Sequence, residues 1–366
     1  MINLRKLPNA IRSRINFRKN WNRKTVIVPG FPKGLEFDLL NKVCLDVLAE
    51  PLHNVSYAHL SGWKPSGAFR VFLETRGNKH WTLIYKNAVY DSNHIPAISE
   101  LPIRPGPPEY LVYSNCGGNL SKYLPRVYHF HEVQPNRHYQ YLIEDLRNDY
   151  KVIRSLNDFL AAAEELPAIH DAISDWFKTV QADNLLSFDN KFFSALSVYI
   201  NANLPPYLKQ IRNGVSSAIM NALPEVIKFY ESQEFYRTVK LGPIHGDYNF
   251  TNILIDQESS TKFKIIDWEW TGVGIQHADL ASLLKPIKAE EEERAVRLFL
   301  KNKTELPIEA HLHLYHYCKL ERGLFDAAFF AKQFFESENV SQINIHKHIQ
   351  AALARASVAY NRLAFK

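Results

Sequence analysis

The sequence predicts an α+β fold in two lobes, a small mixed-sheet N-lobe followed by a mostly helical C-lobe. Three observations lead there. Between Val55 and Leu146, short apolar and aromatic runs are punctuated by glycine and proline, which reads as strands and hairpins. Beyond Arg147 the strand pattern largely gives way to long segments of helical period. Inside that helical region a single stretch, Gly242 to Leu284, returns to short apolar runs around polar turns.

Residues 1–24 form an acid-free tail carrying Arg5, Lys6, Arg12, Arg14, Arg18, Lys19, Arg23 and Lys24, with Leu4, Leu7, Ile11 and Ile15 near helical spacing. Such a segment suits an anionic membrane surface or a targeting role; a frayed, solvated extension is the usual behaviour of a terminus. Val26 to Gly30 reads as a short strand or turn, and Leu35 to Glu50 as a packed helix. Strands are expected over 57–61 and 67–73, joined by Gly62-Trp63-Lys64-Pro65-Ser66, and a second hairpin turns at Arg76-Gly77-Asn78 into the strand 81–86. Pro105 to Pro108 with Glu109 beside them is ordinary chemistry for a helix start, and that helix ends by Gly117-Gly118. Segments 128–133 and 139–143 form the next strand pair, and the N-lobe ends at Glu144-Asp145-Leu146.

Helices are expected over 152–165, 168–178, 191–203 and 207–231, with Pro224 kinking or dividing the last. Glu290 to Glu293 opens a further helix with acids in its first turn, a run that ordinarily forms a solvated face. Segments 314–335 and 343–363 complete the helical end. His313 and His316 share a helix face that His311 does not, which argues against a zinc site. The expected division is a basic tail over 1–24, a nucleotide-binding N-lobe with a leading helix over 25–146, and a helical C-lobe over 147–366.

Charge and cysteine usage narrow the function classes. The net charge of +6 is misleading, because the tail alone carries +8 and leaves −2 on the remaining chain. A body so close to neutral argues against nucleic acid as the main partner. Cys44, Cys116 and Cys318 are odd in number and lack paired spacing, so neither a disulfide framework nor a zinc site is expected. No apolar run approaches transmembrane length and no apolar leader is visible, so the expected setting is reducing and cytoplasmic.

The chemistry is concentrated between Gly242 and Leu284. His245-Gly246-Asp247 is followed, after four residues, by Asn252 and the apolar run Ile253-Leu254-Ile255; the strand Phe263 to Ile266 then delivers Asp267. The polar residues Asp256 to Lys262 join the two runs as a hairpin, so Asp267 returns beside Asn252. Phosphoryl transfer needs in-line positioning and neutralised charge more than covalent help. A carboxylate at the incoming hydroxyl, with a second carboxylate and an amide on magnesium, meets that need, and Asp247, Asp267 and Asn252 can supply these groups from two loop ends.

This composite resembles the catalytic and metal-binding loops of the protein-kinase-like fold, and in detail it is similar to the aminoglycoside phosphotransferase and choline kinase families of small-molecule kinases. The matched motifs are His-Gly-Asp, Asn252, Ile-Asp-Trp ending at Trp268, and Asp279-Leu280-Ala281. The resemblance implies Asp247 as catalytic base with His245 in the same motif, Asn252 and Asp267 as magnesium ligands, and Asp279 as a structural acid behind them. It also implies ATP and Mg2+ as cofactors, with the nucleotide between the lobes. Lys86 would reach the phosphates, with Lys79 as its rival, and Glu109 would pair with it. The loop at Ser66 and Gly67 would bend backbone N–H groups over the phosphates, although it is not a Walker A motif and a plain hairpin explains it too. The Glu144-Asp145-Leu146 segment would meet adenine through backbone groups.

The implied activity is transfer of the γ-phosphoryl group to a hydroxyl of a small molecule. Glu269, two residues beyond Asp267, is shared with choline and ethanolamine kinases, while His-Gly-Asp in place of His-Asn-Asp leans to the aminoglycoside, sugar and amino-acid branches. Trp268 and Trp270 suit either a cage for a quaternary amine or, more commonly, core packing. The alternative outside enzymology is a nucleotide-binding pseudokinase, against which the intact Asp247, Asn252 and Asp267 stand. A protein kinase is disfavoured because Asp-Phe-Gly and Ala-Pro-Glu are both missing.

Overall fold

The computed structural model of the chain describes residues 32, 34–60, 67–89, 101, 108–115, 117–135, 137–180, 185–210, 217–232, 239–301, 307–336 and 342–364; the side chains of 108, 217–222 and 342–344 lie outside that description. The basic tail, the expected turn at Val26 to Gly30, and Ser66 with the loop before it fall outside the described residues. The chain divides into two units, Met1–Val89 with Arg126–Asp145, and Tyr90–Pro125 with Leu146–Lys366.

The first unit is a five-stranded sheet with one helix. Helix α1 spans Phe37–Leu48 and buries Leu40, Val43 and Cys44, one stripe at helical spacing. It stops at Ala49, whose φ of 54° turns the chain left-handed while its N–H donates to the Leu45 carbonyl. Strands β1 (Leu52–His59), β2 (Gly67–Thr75), β3 (His80–Val89), β4 (Val127–Gln134) and β5 (His138–Glu144) follow, in spatial order β1-β2-β3-β5-β4. Every pairing is antiparallel, so the sheet within the expected α+β class is antiparallel rather than mixed. One face packs on α1 through Val55, Val71, Leu73, Leu83 and Tyr85. On β2 the alternation places Arg70 opposite that core, where it is buried and its Nε donates to Asp145 at 2.6 Å.

The second unit is mostly helical. Helix α2 spans Pro108–Ser114, and a 3-10 helix covers Gly118–Tyr123. After β6 (Tyr150–Val152), α3 runs over Leu156–Phe177, opened by a reciprocal cap: the Asp158 N–H donates to Ser155 Oγ at 3.1 Å, and the Ser155 N–H to Asp158 Oδ2 at 3.0 Å. This is one helix where the sequence suggested two, with Pro167 inside it. An interior proline costs roughly 3 kcal/mol, but Leu166, Ile169 and Ile173 beside it are wholly buried. Each such side chain contributes about 1.5–3 kcal/mol, which outweighs the lost hydrogen bond. The same balance carries α4 (Asn190–Gln210) through Pro205 and Pro206, flanked by buried Leu204, Tyr207 and Leu208, and α5 (Ser217–Ser232) through Pro224.

Short strands then frame two loops. Strand β8 (Gly242–Ile244) leads into His245, and β9 (Ile253–Asp256) leaves Asn252. Strand β10 (Phe263–Ile265) returns antiparallel to β9 with Phe263 opposite Ile255, as the polar turn between them requires. Strand β11 (Gly272–Gly274) pairs antiparallel with β8 and parallel with β7 (Leu186–Ser187). Helices α6 (His277–Leu283), α7 (Ala289–Phe299), α8 (Ile308–Glu336) and α9 (Gln342–Ala364) close the unit. Helices α8 and α9 approach closely at Gly323, where an added Cβ would meet the Ala352 carbonyl and Ala356 Cβ at 3.0 Å. The acidic run of α7 is not wholly solvated: Glu292 is buried and bonded to the Lys319 ammonium.

Candidate active site

The loop between β8 and β9 is held from beneath by Asp279. The N–H groups of His245 and Gly246 donate to its two carboxylate oxygens at 2.7 and 2.9 Å, and His170 Nε2 lies 3.0 Å from Oδ2. Burial pushes the Asp279 carboxyl up, but the bond to His170 and the charges around it outweigh that and hold it below the ordinary carboxylate range. Gly246 is required here: its φ is +80°, and a Cβ would lie 2.1 Å from the Trp270 carbonyl oxygen.

His245 is wholly buried, 4.6 Å edge-to-face from the Trp268 ring. Its Nδ1 accepts from the Asp247 N–H at 3.3 Å, which places the neutral ring's proton on Nε2. Burial lowers its pKa, only partly offset by Asp279 and Asp247. The side chain therefore shapes the turn from within.

Asp247 is the loop's half-buried carboxylate. Its Oδ2 accepts from Asn249 Nδ2 at 2.9 Å and Asn252 Nδ2 at 3.0 Å, and its Oδ1 from Arg322 Nη2 at 2.8 Å. Asn252 Nδ2 also donates to the Asp247 carbonyl at 3.0 Å, which turns the amide oxygen away from that carboxylate. The Asn252 carbonyl accepts from the Ile266 N–H at 3.0 Å, tying the first loop to the second. Asp267 then adopts φ 66° and ψ 62°. That left-handed conformation costs a non-glycine residue on the order of 1–3 kcal/mol and is kept where surrounding structure imposes it. The turn is fixed from behind by Trp268, which is wholly buried with Nε1 donating to the Ile265 carbonyl at 3.0 Å.

The backbone bond joins the loop of Asn252 to that of Asp267; a carboxylate and an amide oxygen are hard donors of the kind magnesium takes, together with substrate phosphates. Among the described residues no three His, Cys, Asp or Glu side chains gather as a protein-only cage. On α8, His311 Nδ1 lies 3.0 Å from His277 Nε2.

A cavity of about 50 Å³ adjoins the loop, walled by Gly246, Trp270 and Arg322, with Phe188, Phe193 and Glu321 on its other sides. Trp270 thus borders this space, while Trp268 is core. Burial raises the Glu321 carboxyl to about 7, against a bond from the Tyr230 hydroxyl at 3.0 Å and the Arg322 charge, both of which lower it.

The residues expected at the nucleotide are spread over both units. Lys86 lies on β3 opposite Ala68, at the end of the hairpin where Gly67 opens β2. Its rival Lys79 sits at the other end, beside the turn, with Nζ 2.9 Å from Glu50. Glu109 is buried in α2, in the second unit, whereas Lys86 belongs to the first. The Glu144 N–H donates to the Arg126 carbonyl, the Asp145 carboxylate is committed to Arg70, and the Leu146 carbonyl accepts from Tyr150. Sequence reasoning missed Arg322, which stands 75 residues beyond Asp247 inside a long helix, and His170 in α3; neither belongs to a motif that marks it.

A family model described as the phosphotransferase enzyme family matches residues 117–312, a span that holds both loops, Asp279 and α3. The chain belongs to the phosphotransferase enzyme family. No curated protein matches its sequence. Among solved structures, a microcompartment-associated aminopropanol kinase is 15% identical with a TM-score of 0.57, over 88% of this chain and 98% of that one. Choline kinase LicA from Streptococcus pneumoniae is 13% identical with a TM-score of 0.52, over 90% and 99%. Spectinomycin phosphotransferase APH(9)-Ia, in complex with ADP and spectinomycin, is 13% identical with a TM-score of 0.54, over 89% and 99%. The shared fold is the protein-kinase-like one expected from the motifs. The family is one of phosphotransferases, and among the described residues no helix is long and apolar enough to cross a membrane.

Proposed function

We propose that this family member transfers the γ-phosphoryl group of ATP, with Mg2+, to a hydroxyl of a small molecule such as an aminoglycoside, an amino alcohol or a sugar. The observation that carries the reading is the half-buried Asp247 carboxylate, held on both oxygens within one turn of Asn252 and beside the loop of Asp267. In this reading Asp247 orients the acceptor hydroxyl and takes its proton, as the transfer requires. Asn252 Oδ1 and the Asp267 carboxylate hold the metal, which when bound neutralises phosphate charge. His245 and Asp279 act through the loop backbone. In the same reading residues 25–146 take the nucleotide, with Lys86 toward the phosphates and Glu144 to Leu146 at the base. Residues 147–366 carry the transfer. Three cysteines without paired spacing fit a reducing, cytoplasmic setting.

The test is ADP release from Mg-ATP across aminoglycosides, choline, ethanolamine, sugars and homoserine, with Asp247→Asn as the blank. A compound that stimulates release in the wild type alone, and is recovered as its phosphate ester, supports the reading. Equal release by both proteins with every compound sinks it.

A further inference from the structure

We propose that Arg322 is a positioning residue for the transfer, setting the orientation of the Asp247 carboxylate that meets the acceptor hydroxyl; the inference rests on the reading of Asp247 given above. The guanidinium makes two contacts on consecutive residues of the loop, Nη2 to Asp247 Oδ1 at 2.8 Å and Nη1 to the Gly246 carbonyl at 3.3 Å. The two amides of Asn249 and Asn252 both grip the other carboxylate oxygen, Oδ2. They serve only that one oxygen. The bond from Arg322 is the one given to Oδ1, so this guanidinium sets the direction and charge environment of the second oxygen.

Arg322 is itself anchored. Its Nε lies 3.2 Å from Asp326 Oδ1, one helical turn further along α8. Asp326 Oδ2 is met by Lys285 at 2.7 Å and Arg355 at 3.1 Å, and the guanidinium stands over the Phe325 ring at 5.5 Å from its centroid. The Asp326 charge thus lies at the Nε edge of the guanidinium, without a hydrogen bond to it, while the two Nη groups are presented to the loop. Pairing with Asp326 alone would satisfy an arginine kept only for stability, whereas this one spans from α8 to the loop and forms a wall of the adjoining cavity. Arginine stays charged throughout the working pH range, so it exchanges no proton with Asp247 and acts by geometry and fixed charge. A lysine ammonium is a point donor and cannot hold the Gly246 carbonyl, Asp247 and Asp326 together.

The experiment measures kcat and KM for ATP by ADP release, using the acceptor that scores in the panel, or water as acceptor if none scores. Arg322→Ala, Arg322→Lys and Asp247→Asn are compared with the wild type. Arg322→Ala is expected to lower kcat by ~100-fold and Arg322→Lys by ~10-fold, with KM for ATP within about threefold of the wild type. Millimolar guanidinium should restore part of the lost rate to Arg322→Ala and none to Asp247→Asn, because only the former leaves a guanidinium-shaped gap beside an intact carboxylate. A kcat for Arg322→Ala within about twofold of wild type, or a loss confined to KM, overturns the inference. Should circular dichroism show Arg322→Ala unfolded, a folded Arg322→Lys decides the matter on the same kcat criterion. Asp247→Asn inactive beside a fully active Arg322→Ala removes this inference alone; Asp247→Asn at wild-type rate removes the reading of Asp247 as well.

Discussion

Asp279→Ala is expected to destabilise the protein by about 3–5 kcal/mol. The carboxylate is wholly buried and receives the N–H of His245, the N–H of Gly246 and His170 Nε2, at 2.7, 2.9 and 3.0 Å. Each buried donor left without an acceptor costs roughly 1–3 kcal/mol, so three orphaned donors bound the loss at about 3–9 kcal/mol. Part of this is offset, because the substitution also removes a buried charge that is costly to desolvate. Breaking a buried charged pair from one side typically costs about 3–5 kcal/mol, and that sets the figure. Asp279→Asn keeps one acceptor oxygen but turns an NH2 toward a donor, so it should lose less than alanine and more than half as much.

The assay is guanidinium unfolding at neutral pH, followed by tryptophan fluorescence and repeated toward acid. Because the folded Asp279 carboxyl sits below its ordinary value, its contribution is present above the unfolded pKa of about 4 and is lost as the pH falls through the lower folded value. The variant should lack that acid-side decline. A loss under about 1 kcal/mol, with the acid decline unchanged, would refute the reasoning that these three bonds hold the loop.

Two further predictions concern the same neighbourhood. Gly246→Ala should abolish turnover and lower the thermal midpoint by several degrees, since it forces a side chain onto a φ of +80° with its Cβ 2.1 Å from the Trp270 carbonyl; an unchanged midpoint and rate would contradict it. Glu321→Gln should flatten the pH dependence of stability between about 4.5 and 7. With its folded pKa raised to about 7 by burial, the wild type holds a proton there that the unfolded chain releases, so its stability falls as pH rises through that window. Identical pH profiles for the two proteins would show that Glu321 is not the group responsible.

The features of the site that were legible from sequence are the local ones. His245, Gly246, Asp247 and Asn252 lie within eight residues, and a polar turn between two apolar runs returns Asp267 beside them, so spacing alone places the group. Asp279 was legible as an acid behind the site, but its two backbone acceptor bonds depend on how α6 packs under the loop. Arg322 was not legible: it comes from a helix whose apolar pattern reports only packing, and its meeting with Asp247 is a long-range contact. The helix bounds erred in the opposite direction. The helices expected to end at 165 and 203 run on through Pro167 and through Pro205 and Pro206, and Pro224 does not divide its helix, because burial of the neighbouring side chains outweighs one missing donor. The sheet was expected to be mixed; the pairing of β4 with β5 was legible as two runs joined by a short turn, but that of β3 with β5, far apart in the chain, was not encoded in any local run.

The most direct test of the central claim separates nucleotide binding from turnover at the two loops. Mg-ATP binding by calorimetry and single-turnover phosphoryl transfer would be measured for wild type, Asp247→Asn and Asp267→Ala. Asp247→Asn should bind Mg-ATP within about threefold of wild type while losing at least ~100-fold in rate, and Asp267→Ala should lose magnesium-dependent binding itself. Wild-type rates in both variants would contradict the assignment of these loops to the chemistry.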